Sequence, residues 1–414
     1  MKNLLFFSFA LFFLISCETK PKETLDSTKI ETKDESAIDS IEQVKIEKDP
    51  KTTFNKEFVA KNNKIVNQNF NDFARFIAGM PSKTPSPLDS LRATEEWKSF
   101  ATSFDSSWKL IEKNRLNKMA SWSDEEFATL KSKPIDVLYP FSGPDFVNVF
   151  TFFPNGKTYV LMALEPVGEY TDFSYQNTKF VKKYLSSVDN SLNDLFKKSY
   201  FITMHMIGDL QKDKVNGVLP LICLFMARTG NEILDINRVE LSADGAVNLD
   251  SLVKKDNKKK VTGIKIDFVD LKHPTVPKTL FYFRADLSDG GLKANPAMTN
   301  FLDKFNHTIG YFKSASYLGH MKEFATIRSI MLEKCDYVVQ DDTGIAYRFF
   351  DKNIWDFQLY GKYVKPVKDF SGVDQPDLRK KYESDSTVKP LPFSLGYHWG
   401  TQNQNLMKMT KKGI

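Results

Sequence analysis

Gln340-Asp341-Asp342-Thr343-Gly344 places two adjacent carboxylates in a turn behind a stretch, Asp336 to Gln340, that reads as a strand. Two acids at the carboxyl end of a strand can ligate a hard cation or divide acid and base roles between them. The plainer alternative is a solvated turn in which Asp ends the strand and Gly344 supplies a positive φ. Upstream, Phe324, Ile327, Arg328 and Met331 fall at i, i+3, i+4 and i+7, so Arg328 stands on an otherwise apolar helical stripe. A guanidinium there must snorkel or find a partner, and Asp341 or Asp342 is the obvious candidate. With His320 at the start of the same helix, His320, Arg328, Asp341 and Asp342 form a candidate catalytic group. A structural ion pair beneath a loop would use the same residues.

A second constellation runs from Tyr139-Pro140-Phe141-Ser142-Gly143-Pro144-Asp145 to Glu165. Ile135 to Tyr139 reads as a strand, Phe146, Val149, Phe150 and Phe153 repeat at helical spacing, and Thr158 to Leu164 is almost continuously apolar, as a strand covered on both faces would be. This βαβ order, with an acid some twenty residues after the glycine, resembles the nucleotide-binding unit of Rossmann-like folds. Gly143, Asp145 and Glu165 are then the candidate cofactor contacts. The G-x-G-x-x-G fingerprint is absent, a structural βα turn explains the same residues, and no cofactor is assigned.

Other chemistries find little support. Gly156-Lys157-Thr158 lacks the first glycine of a phosphate loop, where Thr151 stands. The histidines 205, 273, 307, 320 and 398 form no i, i+3 or i, i+4 pair, so no metal site is expected. There is no G-x-S-x-G elbow. Cys223 and Cys335 read as buried thiols, a bond between them remaining open. The lysines of 254–260 carry no interleaved aromatics and argue against nucleic acid as a partner.

The elements that must position these residues follow from periodicity. Phe70, Phe73, Ala74 and Ile77, then Trp97, Phe100, Ala101, Phe104, Trp108 and Ile111, mark two amphipathic helices within a helical N-terminal region, 54–130. In the body, 131–414, helices are expected over Asn190–Leu210, Val218–Ala227, Pro296–Phe305 and Met321–Lys334. Strands are expected over Val261–Val269 and Lys278–Arg284 as an antiparallel pair, near Ala315–Leu318, and over Asp336–Gln340, with turns dominating from Val364. The fold class this predicts is α/β or mixed α+β, a Rossmann-like sheet core with a helical N-terminal layer.

Lys2 precedes a twelve-residue run, Leu4 to Ile15, apolar except for Ser8 and ending at Ser16-Cys17. The run is short of the roughly 20 residues that span a bilayer and reads as a signal peptide, 1–16. Leu14-Ile15-Ser16-Cys17 resembles the lipobox of bacterial lipoproteins. That resemblance implies cleavage before Cys17, acylation of it, and membrane lipid as a partner. Glu18, in place of an aspartate, favours the outer membrane within the cell envelope. From Glu18 to Thr53 there is no aromatic residue, with 7 Lys against 10 Asp+Glu, a composition expected to remain a disordered stalk.

The whole chain carries 58 Lys+Arg against 52 Asp+Glu and is 41% hydrophobic, which excludes collagen, wholesale disorder and a polytopic membrane protein. Its three cysteines exclude a disulfide-dense scaffold. Tyr139–Asp145, Gln340–Ile345 and Leu391-Pro392-Phe393-Ser394-Leu395-Gly396-Tyr397 together resemble a group of exported bacterial proteins to which no activity attaches. The expected function is that of a lipid-anchored envelope binding or structural module, with an envelope hydrolase or a degenerate nucleotide binder as alternatives.

Overall fold

The structure, a computed structural model, describes residues 66–201, 206, 208–211, 214–249, 260–272 and 277–414. The leader, Cys17, the stalk, His205, His273 and the lysines at 254, 255, 258 and 259 lie outside the described residues. No helix among the described residues is long and apolar enough to cross a membrane.

The strands are β1 Ile135–Pro140, β2 Gly156–Ala163, β3 Asn231–Leu241, β4 Val247–Leu249, β5 Thr262–Asp270, β6 Lys278–Arg284, β7 Thr308–Phe312, β8 Cys335–Gln340, β9 Trp355–Gly361 and β10 Asn405–Lys411. They form one mixed sheet of order β4-β3-β5-β6-β2-β1-β7-β8-β10-β9. Its middle, β6-β2-β1-β7-β8, is parallel, while β5 and β3 on one side and β10 and β9 on the other pair antiparallel.

The apolar runs of the central strands explain why both faces are covered. Successive side chains of a strand point to opposite faces. Val137, Tyr139, Tyr159 and Leu161 accordingly join a core with Phe73, Phe104, Trp108 and Phe225. Leu138, Val160 and Met162 join a second core with Met298, Ile327 and Met331. Each fully buried side chain of this kind contributes about 1.5–3 kcal/mol.

The expected βαβ unit forms, with helix Phe146–Phe152 between parallel β1 and β2. β5 and β6 pair antiparallel, as their patterns predict. Helices Gln68–Ile77 and Glu95–Ile111 begin at Asn67 and Thr94, whose side chains accept from Phe70 N and Trp97 N. Cys223 and Cys335 are both buried and unbonded.

Three expectations need correction. The helix placed over 190–210 is Thr178–Lys198, started by the Asn177 cap and stopped by Ser199 at φ 76°. The strand placed near Ala315–Leu318 is Thr308–Phe312; beyond it Ser314, Ser316 and Tyr317 stand in left-handed backbone. The turn-dominated C-terminal stretch contains helix Pro376–Ser384 and β10, which pairs with both β8 and β9. Its partners lie far away in sequence, and no local pattern identifies them.

Candidate functional site

β1 is followed outward by β2 and β6 on one side and by β7 and β8 on the other, so strand order reverses between β1 and β7. Open α/β sheets bind ligands outside the carboxyl ends of strands at such reversals. Among the described residues seven non-glycines have positive φ, and five gather here. Phe141 follows β1; Ser314, Ser316 and Tyr317 follow β7; Ser199 accepts a hydrogen bond from Lys313 Nζ at 3.0 Å. Each such conformation costs about 1–3 kcal/mol, a strain that persists only where surrounding contacts over-determine it.

One set of contacts comes from Lys313 at the end of β7. Its Nζ lies 2.6 Å from Asp145 Oδ2, with the two side chains 2% and 1% exposed. Tyr139 Oη donates to the same carboxylate at 3.0 Å and Asn148 Nδ2 at 2.6 Å. Burial lowers the Lys313 pKa and Asp145 opposes that shift. Asp145 also caps helix Phe146–Phe152 through Asn148 N. The candidate cofactor residue Asp145 is thus engaged internally, joining the β1 turn to β7.

The other set comes from the carboxylate pair. Asp341 Oδ1 accepts from Thr343 N at 3.0 Å and from Thr343 Oγ1, and Oδ2 accepts from Ser314 N at 3.0 Å. Asp342 Oδ2 accepts from Tyr317 Oη at 2.7 Å, and Oδ1 from Asn405 Nδ2 at 3.0 Å. His398 Nε2 is 3.1 Å from Asp342 Oδ1, and its Nδ1 is 3.1 Å from Asn403 Nδ2. The main chain of Asp342 is equally engaged: its N–H donates to Asn405 Oδ1 at 2.8 Å, and its carbonyl accepts from His320 Nε2 and Gln375 Nε2. Two buried acids therefore tie together the loops after β7 and β8, the start of β10 and the 396–398 turn.

Charge in this setting is costly. Burial, then the neighbouring Asp342, push the Asp341 carboxyl up to about 6 against the hydrogen bonds from Thr343 and Ser314. Burial pulls the His398 pKa down, but the hydrogen bond and charge of Asp342 prevail and raise it. Burial brings His320 down to about 4, so at neutral pH it is an uncharged ring donating through Nε2.

Asp341 therefore titrates higher when folded than its ordinary 3.8. Its contribution to stability is complete below that ordinary value and is lost as pH rises through about 6. Asp341→Asn removes this titration. Unfolding free energies by denaturant, taken every half unit from pH 4 to 7, should show wild type losing ground to the variant as pH rises. A difference independent of pH would contradict the assignment.

Arg328 does not reach either acid. Its guanidinium donates to the carbonyls of Gly319 and Met321 at 3.0 and 2.9 Å and lies 3.8 Å from the Phe349 ring centroid. Carbonyl hydrogen bonds and a cation–π contact take the place of the expected ion pair. His320 meets Asp342 only at the backbone. Gly344 is needed for close approach and not for positive φ: a Cβ there would lie 2.4 Å from Gln340 Oε1. That amide seals the turn, accepting from Ile345 N and donating to Ile345 O.

Gly143, at φ 55°, and Glu165, just beyond β2, are brought together: a Cβ on Gly143 would lie 3.7 Å from Glu165 Oε1. Among the described residues no group of three His, Cys, Asp or Glu side chains is placed to hold a metal ion. Lys313, Tyr317, Gln375, His398 and Asn405 are the site residues that sequence reasoning missed. None of the five carried a local signal in the sequence.

Comparison of the chain with protein-family models, curated proteins and solved structures finds no match.

Proposed function

We propose that this chain is a lipid-anchored, non-catalytic binding module of the cell envelope, tethered to the outer membrane through acylated Cys17. Its body is a Rossmann-like core with a helical N-terminal layer, and its ligand crevice lies at the reversal between β1 and β7. The observation that carries the binding reading is the approach of Gly143 to Glu165 at the ends of β1 and β2. Gly143 holds φ 55°, a left-handed conformation that favours glycine, and an acid at the end of the second strand suits vicinal hydroxyls. The ligand class this favours is a nucleoside or its derivatives. The non-catalytic reading is supported by Asp341 and Asp342, which are 2% and 0% exposed and whose carboxylate oxygens already accept hydrogen bonds.

The test has two arms. The full chain is melted with adenosine and with 2′,3′-dideoxyadenosine. Adenosine at 100 times its Kd should add about 2.7 kcal/mol to stability, while the dideoxy compound and Glu165→Gln should each abolish the shift. No shift with adenosine refutes the crevice assignment. In membrane fractionation, Cys17→Ser should move the chain to the soluble fraction, and continued sedimentation with membranes refutes the anchor.

A further inference from the structure

Several arginines of this fold meet carboxylates: Arg92 lies 2.7 Å from Asp72, Arg228 2.8 Å from Asp105 and Arg379 2.5 Å from Asp374. Arg328 and Arg348 depart from that pattern together. Their guanidinium carbons stand 3.8 and 4.8 Å from the centroid of one ring, Phe349. Their hydrogen bonds go to three successive carbonyls: Arg328 Nη1 donates to Gly319 O and Met321 O, and Arg348 Nη2 donates to His320 O at 3.3 Å. Neither forms an ion pair among the described residues.

Two like charges on one ring lack compensation from within. Burial, then the neighbouring Arg348, lower the Arg328 pKa, and Asp289 opposes them less strongly. Asp289 is committed elsewhere, its Oδ1 accepting from Thr326 N at 2.8 Å. Asp342, the acid beneath His320, is 0% exposed and already holds Tyr317, Asn405 and His398. Both forks keep donors within reach of solvent. A guanidinium offers five N–H groups, carbonyls engage one nitrogen of each arginine, Arg348 is exposed and Arg328 is half-buried.

The loop supplying those carbonyls is held firmly. Ser316 and Tyr317 stand in left-handed backbone, Tyr317 Oη donates to Asp342 Oδ2 at 2.7 Å, and His320 Nε2 lies 3.2 Å from Asp342 O. Phe324, at the end of the same loop, meets Phe141 after β1 with ring centroids 5.5 Å apart. The arginine pair therefore stands on a fixed support beside the reversal between β1 and β7.

We propose that Arg328 and Arg348 form a binding site for a phosphate monoester dianion. Guanidinium forks match phosphate oxygens bidentately, and such charge-assisted hydrogen bonds are about twice as strong as neutral ones. A phosphate monoester carries about −1.5 to −2 charges at pH 7 and so answers both cations, whereas a sulfate monoester, with a single charge, answers one. The site goes beyond the nucleoside reading and needs neither Gly143 nor Glu165.

Calorimetric titration of the full chain with methyl phosphate tests this at slightly alkaline pH and low ionic strength, where exposed charges are least screened. Methyl phosphate should bind saturably and at least tenfold tighter than methyl sulfate. Arg348→Gln should weaken it at least tenfold at an unchanged urea midpoint, since that side chain is exposed. Arg328→Lys keeps the charge but loses the fork, and should weaken binding as well. No heat at millimolar methyl phosphate, equal binding of methyl sulfate, or unchanged affinity in Arg348→Gln overturns the proposal. So does an equal loss in Lys322→Gln, which would reduce the effect to general surface charge. Phosphatidate vesicles separate the sources of the monoester. Sedimentation of the Cys17→Ser chain with them, lost in Arg348→Gln, places it on a lipid headgroup, while methyl phosphate binding without sedimentation places it on a soluble ligand. Glu165→Gln should leave methyl phosphate binding unchanged, so this site and the nucleoside crevice fail separately.

Discussion

Asp342→Ala is expected to lower the unfolding free energy by about 3–5 kcal/mol, read as a shift of the urea midpoint at unchanged slope. The carboxylate is 0% exposed and accepts from Tyr317, Asn405 and His398, three groups on three separate segments. Truncation strands all of them in a site that water does not reach. An orphaned buried donor costs about 1–3 kcal/mol, and a cavity adds to that. Tyr317 is the most exposed to the loss in energetic terms, because its left-handed backbone at φ 56° is strained and its hydroxyl bond helps to hold it. Asp342→Asn retains the volume and an acceptor but turns an amide toward other donors, so it should fall between wild type and Ala. A loss below about 1 kcal/mol for Asp342→Ala would show that these loops do not depend on the buried acid.

Lys313→Met is expected to cost a similar amount, about 3–5 kcal/mol, by a different route. It leaves Asp145 1% exposed, still accepting from Tyr139 and Asn148 but without its cation. Two desolvated charges that meet at 2.6 Å repay their burial only as a pair. Asp145→Asn combined with Lys313→Met removes both charges at nearly constant volume. The double variant should be more stable than the sum of the single losses predicts, by about 2 kcal/mol or more, in a double-mutant cycle. Additive losses would mean that the ion pair contributes nothing as a pair and that packing alone joins β1 to β7.

The readable parts of the fold were those whose cause is local. Ile135 to Leu164 declared a βαβ unit because two apolar strands flank a helical repeat, and both the helix and the parallel pairing are found. The helix at Thr178–Lys198 was legible in principle from the Asn177 cap and from Val181, Tyr184, Leu185, Val188, Leu192 and Leu195, all buried on one side. β7 was not legible. Thr308-Ile309-Gly310-Tyr311-Phe312 is short and interrupted by a glycine, while Ala315 to Leu318 looks more strand-like in isolation. Long-range contacts reverse that preference: Ser314 N and Ala315 N are claimed by Asp341 and Thr343 on the next strand's loop.

The candidate site divides in the same way. That Asp341 and Asp342 end a strand, and that Gly143 and Glu165 close a βα turn and the strand after it, are consequences of neighbours within one element, and the amino-acid order alone determined them. Which groups answer the two acids was decided only by the tertiary structure. Arg328, on the helix just before, turns to backbone carbonyls, while His398 and Asn405 arrive from 56 and 63 residues away. The physical reason is that a buried carboxylate must be satisfied by whatever donors the sheet order brings to its end of the strand. That order is set by the packing of both faces of a ten-stranded sheet and not by distance along the chain.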